Sequence, residues 1–208
     1  IKCDTVVIAT GVAPAVDLAI KAGIKADKRR GIKVNKRMMT SVEDVYACGD
    51  CVETWDVFTG EPAAYRLKHN AIEQARVVAR NCIGEYTIYR GAWNFARVHF
   101  FDAHGVSLGK TLIQLKEPNK AEIIEKNDGR DNYYRLIVYK GKIAGFQAIG
   151  NFANYAGIVF GAMWRQEDVD KIISQLDRIQ RVNSPYPWTY KMLAKYLEPY
   201  KHTIKNTF

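Results

Sequence analysis

The rhythm of apolar and polar positions changes near residue 88, and that change divides the chain. Ahead of it, Thr5-Val6-Val7-Ile8-Ala9 is a near-continuous apolar run. That is the pattern of a strand buried on both faces of a parallel sheet. Thr10-Gly11 ends the run, and Pro14 delays any helix to about residue 15. AVDLAIKAG predicts a short helix stopped at Gly23, and GIKVN a short strand. TSVEDVYACGD leads into a strand at Val45 to Ala47 that closes at Gly49-Asp50, and Cys51 to Ala64 reads as a loop. A helix follows. Ala71, Ala75, Val78 and Cys82 recur at helical spacing, with Ile72 and Ala79 beside them, and Gly84 stops it.

After residue 88 short strands dominate. FARVHFF, VSLGKTLIQL, AEIIEK, YYRLIVYK and KIAGFQAIG all read as strands. Asp128-Gly129 and Lys140-Gly141-Lys142 are turn signals too short for crossovers, so antiparallel pairing is expected. Helices are expected at Tyr155 to Trp164, Glu167 to Arg178 and Tyr190 to Leu197, with NSPYPW a loop between the last two. The expected architecture is an α/β segment over residues 1–87, then an α+β domain with a mostly antiparallel sheet over residues 88–208.

With 208 residues and 48% hydrophobic positions, the chain can build a proper core. No apolar run reaches membrane-spanning length. The opening directly on a strand-like run, without a methionine, reads as a piece whose beginning is missing. Net charge is +9, yet the basic residues are spread along the chain and no nucleic-acid-binding signature accompanies them. The densest stretch, KADKRRGIKVNKR, reads as a solvated loop and short strand, and no nucleic-acid partner is expected. Four cysteines do not make a disulfide scaffold. Cys3 and Cys82 read as small core residues, and a reducing cytoplasm fits the set.

The stretch VYACGDCVE concentrates the candidate chemistry. Cys48 and Cys51 are spaced as C-x-x-C. A redox pair would want the first thiol at a helix start, but here it closes a strand. A zinc site would want two further ligands at matching spacing, and no second C-x-x-C occurs. Gly49-Asp50 is a different device: the glycine lets a ligand approach the backbone, and the carboxylate can accept hydrogen bonds from sugar or ribityl hydroxyls. Trp93, Phe95, Phe100 and Phe101 alternate on strands and read as core rather than as a base-stacking platform. His99 and His104 read as ordinary strand and turn residues.

The order of these features resembles a known family. DTVVIATGVAP, then AGI, then GIKVNKRMMTSVEDVYACGDCVE is similar to the flavoprotein pyridine nucleotide-disulfide oxidoreductase superfamily. Its members carry an apolar strand ending in A-T-G-x-x-P, then T-S-x-x-x-[IV]-[YF]-A-x-G-D. The matching positions are Ala9, Thr10, Gly11 and Pro14, then Thr40 and Ser41 through Val45, Tyr46 and Ala47 to Gly49 and Asp50. YRLKHNAIEQARVVARNCIGEYTIYRG resembles the next helix in NADH oxidase-, nitrite reductase- and ferredoxin reductase-like members, and the later strands resemble their carboxy-terminal interface domain.

The resemblance implies FAD as cofactor. Asp50 would bind its ribityl and pyrophosphate part, with Gly49 giving close approach and Thr10 and Gly11 on the neighbouring strand end. Leu67, Lys68 and His69, at the start of the helix, would face the flavin ring; Lys68 and His69 depart from the aromatic residue and proline common there, and equally read as a solvated helix start. No residue of this chain is expected to be catalytic or to bind a metal. Tyr186 could sit near a partner subunit's site, or simply in a proline-rigidified loop. The family's two glycine-rich turns, for FAD and for NAD(P)H, do not occur in this sequence. The chain is therefore expected to need amino-terminal FAD and NAD(P)H regions as partners, and to be inactive alone. The full protein would pass electrons from NAD(P)H through FAD to oxygen, a disulfide or a redox protein, and would form a homodimer. Two alternatives stay open: an assembly module without redox activity of its own, and a C-x-x-C redox or metal protein.

Overall fold

The computed structural model describes residues 1–129, 132–173 and Leu197. It divides into two compact units, Ile1–Trp93 and a second beginning at Asn94. Among the described residues no helix is long and apolar enough to cross a membrane.

The first unit is built on a small mixed sheet. Its strands are β1 (Ala26–Asp27), β2 (Gly31–Lys33), β3 (Val52–Trp55) and β4 (Pro62–Ala63), in that spatial order. β2 and β3 are parallel; the outer pairs are antiparallel. Two helices accompany them, α1 (Asp17–Lys21) and α2 (Lys68–Cys82). Gly23 follows α1 with φ 76° and Gly84 follows α2 with φ 85°, the left-handed backbone that ends helices. The core gathers Val16, Ala19, Ile32, Met38, Val52, Val77 and Tyr89.

Three expectations for this unit need correction. Residues 5–9 form no strand among the described residues, and Val6, Val7 and Ile8 are 74%, 84% and 81% exposed. An isolated extended segment gains nothing until neighbouring strands take up its backbone hydrogen bonds. Val45 to Ala47 is not a strand either: Tyr46 makes only an isolated bridge to Met39. The strand comes a few residues later, as β3, inside the stretch expected to be a loop. There Asp56 supplies the hairpin turn by accepting from the Phe58 and Thr59 amides and from the Tyr65 hydroxyl.

The third correction concerns α2. Its buried positions are Asn70, Gln74, Val77 and Asn81, one residue out of register with the expected apolar face. Ile72, Ala75, Ala79 and Cys82 are exposed, and so is Cys3. The polar side chains face inward because they satisfy backbone groups of the loops packed on the helix. Asn81 donates to the Arg37, Val77 and Thr87 carbonyls and accepts from the Thr87 amide.

The second unit is a five-stranded antiparallel sheet: β5 (Phe95–Phe100), β6 (Ala103–Gly109), β7 (Ala121–Asn127), β8 (Tyr133–Tyr139) and β9 (Lys142–Ile149), in the order β5-β6-β9-β8-β7. Register places Leu108, Phe146, Leu136 and Ile124 in one cross-strand row, all buried. α3 (Ala156–Trp164) packs on β9, burying Ala156, Val159, Ala162 and Met163. The VSLGKTLIQL strand stops at Gly109, and Leu112–Gln114 is a 3-10 turn closed by a Thr111–Gln114 capping box. Phe100 and Phe101 are exposed rather than core, since the β5–β6 hairpin turns at Phe101 with φ 51°. Residues 169–173 are helical; the rest of the expected Glu167 to Arg178 helix, Tyr186 and its loop, and nearly all of the last expected helix lie outside the described residues.

Candidate functional site

The Thr40-Ser41 motif works first as a frame. Thr40 Oγ1 accepts from the Val42 amide, and Ser41 Oγ accepts from the Lys25 amide. The Thr40 and Ala47 amides donate to the Val45 and Met38 carbonyls. Met38 and Asp44 take positive φ to close this loop. It delivers Cys48, Gly49 and Asp50 to the start of β3, an inner strand of the sheet.

Gly49 has φ 85°, a conformation that costs any residue with a Cβ. A Cβ there would still meet only Ala71, at 3.9 Å, so the need for glycine is conformational rather than steric. The Gly49 amide donates to Gln74 Oε1 of α2 at 2.7 Å. One residue on, Arg66 Nε donates to the Asp50 carbonyl at 3.2 Å, and Arg66 Nη2 donates to the Arg29 carbonyl at 2.9 Å. The backbone of Gly49-Asp50 is thus clamped from both sides. The Asp50 side chain is exposed and has no hydrogen bond or ion pair among the described residues, so its carboxylate is presented outward.

The start of α2 lies on the same side as Gly49, as the Ala71 contact shows. Leu67 is its N-cap and supplies no side-chain cap, and no acidic residue sits in the first turn. The positive end of the helix dipole is therefore not offset by a side-chain cap or a first-turn carboxylate. Lys68 is exposed. His69 is half-buried, its Nε2 3.1 Å from the Trp93 carbonyl, and Asn70 donates to that carbonyl as well. Thr10 and Gly11 are exposed, Gly11 with φ 88°, and no hydrogen bond joins them to the Gly49-Asp50 loop.

An outward carboxylate beside a helix N-terminus that has no acidic residue of its own can bind hydroxyl groups and favour an anion in one ligand. That donor and acceptor set suits a nucleotide-type cofactor. Cys48 and Cys51 are free thiols, and Cys51 Sγ donates to the Cys48 carbonyl at 3.4 Å. Burial, with a smaller contribution from Cys51, pushes the Cys48 thiol above its ordinary range. That is the opposite of an activated redox cysteine. Sequence reasoning missed Arg66 as a clamp and the inward role of Gln74. The signal for the second was present: Asn70, Gln74 and Asn81 form a polar stripe at helical spacing.

Comparison with known proteins agrees with this frame. Residues 1–75 match the family of pyridine nucleotide-disulphide oxidoreductases. The chain is 44% identical over 158 residues to an NADH oxidase of Methanocaldococcus jannaschii, covering 71% of this chain and 35% of that protein. It is 32% identical over 164 residues to an NAD(P)H sulfur oxidoreductase (CoA-dependent) of Pyrococcus furiosus, covering 72% and 36%. Among solved structures it superposes on an NAD-dependent persulfide reductase from A. fulgidus with a TM-score of 0.68 and 32% identity, over 81% of this chain and 34% of that one. The chain spans about a third of the length of the curated relatives it matches. The Thr-Ser frame, the Gly-Asp loop it delivers, the helix behind that loop and these matches place the chain in the FAD-dependent pyridine nucleotide-disulphide oxidoreductase superfamily.

Proposed function

We propose that residues 1–87 are the returning segment of an FAD-binding domain and residues 88–208 a carboxy-terminal interface domain, both of a longer cytoplasmic FAD-dependent NAD(P)H oxidoreductase. The observation that carries this reading is the Gly49-Asp50 loop: its backbone is held by Gln74 and Arg66 while its carboxylate stays unpartnered and outward. Asp50 would hold ribityl or sugar hydroxyls, Gly49 would allow close approach, and the first turn of α2 at Leu67, Lys68 and His69 would face the ring. Thr10 and Gly11 would join them once residues 5–9 pair with strands from the amino-terminal region. FAD, when bound, supplies the electron-carrying chemistry, and this chain supplies position and electrostatics. The exposed apolar run at residues 5–9 supports the same reading, because it needs neighbouring strands to be buried. The test is anaerobic addition of NADH, then NADPH, to the longer polypeptide that carries this chain. Loss of the flavin absorption band supports the proposal; a flavin-free protein or an unchanged band overturns it.

A second reading is an assembly module that pairs into a homodimer without redox chemistry of its own. It is favoured by one face of the five-stranded sheet, where Val98, Ile149 and Tyr133 share a cross-strand row around Gly105. Val98 is 60% exposed. Sedimentation of the chain alone tests it: a dimer that dissociates on Val98→Glu supports it, and a monomer at all concentrations refutes it.

A further inference from the structure

The β5–β6 hairpin sets two histidines directly opposite each other. His99 and His104 are Cα partners in the ladder. Nδ1 of His104 lies 3.1 Å from Nε2 of His99, and the ring centroids are 4.2 Å apart with planes at 76°. His99 is exposed and His104 half-buried. Neither ring has another hydrogen-bond partner among the described residues. Between two such nitrogens one carries a proton and the other a lone pair.

Imidazole nitrogens this close are a donor pair suited to borderline transition metals. With metal–nitrogen bonds of about 2.0–2.1 Å, two nitrogens on one ion stand about 2.9 Å apart at a right angle and about 3.4 Å apart in a tetrahedron. The observed 3.1 Å falls between these limits. The ladder already fixes the spacing of the two Cβ atoms, so only ring rotations are needed to turn both lone pairs toward one ion.

We infer that His99 and His104 form a two-imidazole chelate for a divalent transition-metal ion of the Cu²⁺, Ni²⁺ and Zn²⁺ class, with water in the remaining positions. The proton between the rings moves to the other nitrogen of its own ring, and the ion pins β5 to β6 beside the hairpin turn. Hard cations such as Mg²⁺ prefer oxygen ligands and do not compete. Cu²⁺ binds more tightly than Ni²⁺ or Zn²⁺. The inference is independent of the flavin reading and uses none of its residues.

The Cys48 and Cys51 thiols could also take such an ion, so the test separates the two sites. Ni²⁺ alone is titrated into the chain carrying Cys48→Ser and Cys51→Ser, by calorimetry and by nitrogen-15 spectra of the histidine rings. The expected result is a saturable site that perturbs Nε2 of His99 and Nδ1 of His104. Either His99→Ala or His104→Ala should weaken it about tenfold or more, because each removes one arm of a chelate. Amide signals of Arg97 and Val106, which flank the pair in register, report in the same spectra that the hairpin stays formed. Absence of saturable binding, or affinity unchanged in both single variants with the hairpin intact, overturns the inference.

Discussion

Gln74→Leu isolates the hydrogen bond that holds the candidate loop. Leucine keeps the volume and the helix propensity of the position. What it removes is the acceptor of the Gly49 amide, at 2.7 Å. The second bond, from Gln74 Nε2 to the Tyr89 hydroxyl at 3.4 Å, is long and contributes little. A buried donor left without its acceptor costs about 1–3 kcal/mol. Gly49 is half-buried, so water reaches part of the loop and the lower half of that range applies. About 1–2 kcal/mol corresponds to a fivefold to thirtyfold shift, roughly, in the local opening equilibrium. Amide hydrogen exchange at Gly49 reads this directly and should accelerate by that factor. Gln74→Glu supplies an acceptor again, so Gly49 should stay protected even though a buried carboxylate lowers overall stability. Equal Gly49 exchange in the native protein and Gln74→Leu would refute the clamp, as would a Gln74→Glu variant that exchanges as fast as Gln74→Leu.

Other outcomes follow from the same structure. Gly145→Ala places a Cβ 1.9 Å from the Lys110 carbonyl oxygen, a backbone atom, so the urea midpoint of the second unit should fall by the equivalent of about 1–3 kcal/mol or more. Burial pushes the Tyr89 hydroxyl up to about 12, against the hydrogen bond from Gln74, which lowers it, and with a smaller upward push from Glu73. Above pH 10 the unfolded tyrosine ionises while the folded one keeps its proton. Stability should therefore fall as pH rises from 10 to 12, by on the order of 2 kcal/mol, and Tyr89→Phe should remove that slope in alkaline urea titrations. Replacing Cys48 and Cys51 together by serine should leave flavin content in the longer polypeptide unchanged; loss of flavin or of activity would revive a redox or metal role for the pair.

What was legible in the sequence follows physical lines. The strands β5, β7, β8 and β9 were readable because antiparallel neighbours are joined by short turns, and Lys140-Gly141 marks one of them by itself. Residues 5–9 misled because their strand character depends on partners that this chain does not provide within the described residues. β3 was missed because Val52-Glu53-Thr54-Trp55 is short and mixed, and its pairing with β2 and β4 is non-local. The face of α2 was displaced because hydrophobicity predicts burial of alanines, whereas Asn70, Gln74 and Asn81 are drawn inward by unsatisfied backbone groups. Gly49 and Asp50 stood out by motif, yet the Arg66 clamp left no mark, since an arginine ahead of a helix has no pattern that announces its carbonyl partners.

In the function proposed above, Asp50 presents its carboxylate to a bound flavin. The most direct measurement is the ratio of flavin absorbance to protein absorbance in the longer polypeptide after FAD loading and desalting, for the native protein, Asp50→Asn and Asp50→Ala. Near-full occupancy is expected in the native protein and severe loss in Asp50→Ala, with Asp50→Asn between them because its amide oxygen still accepts. Equal flavin retention in all three proteins would contradict it.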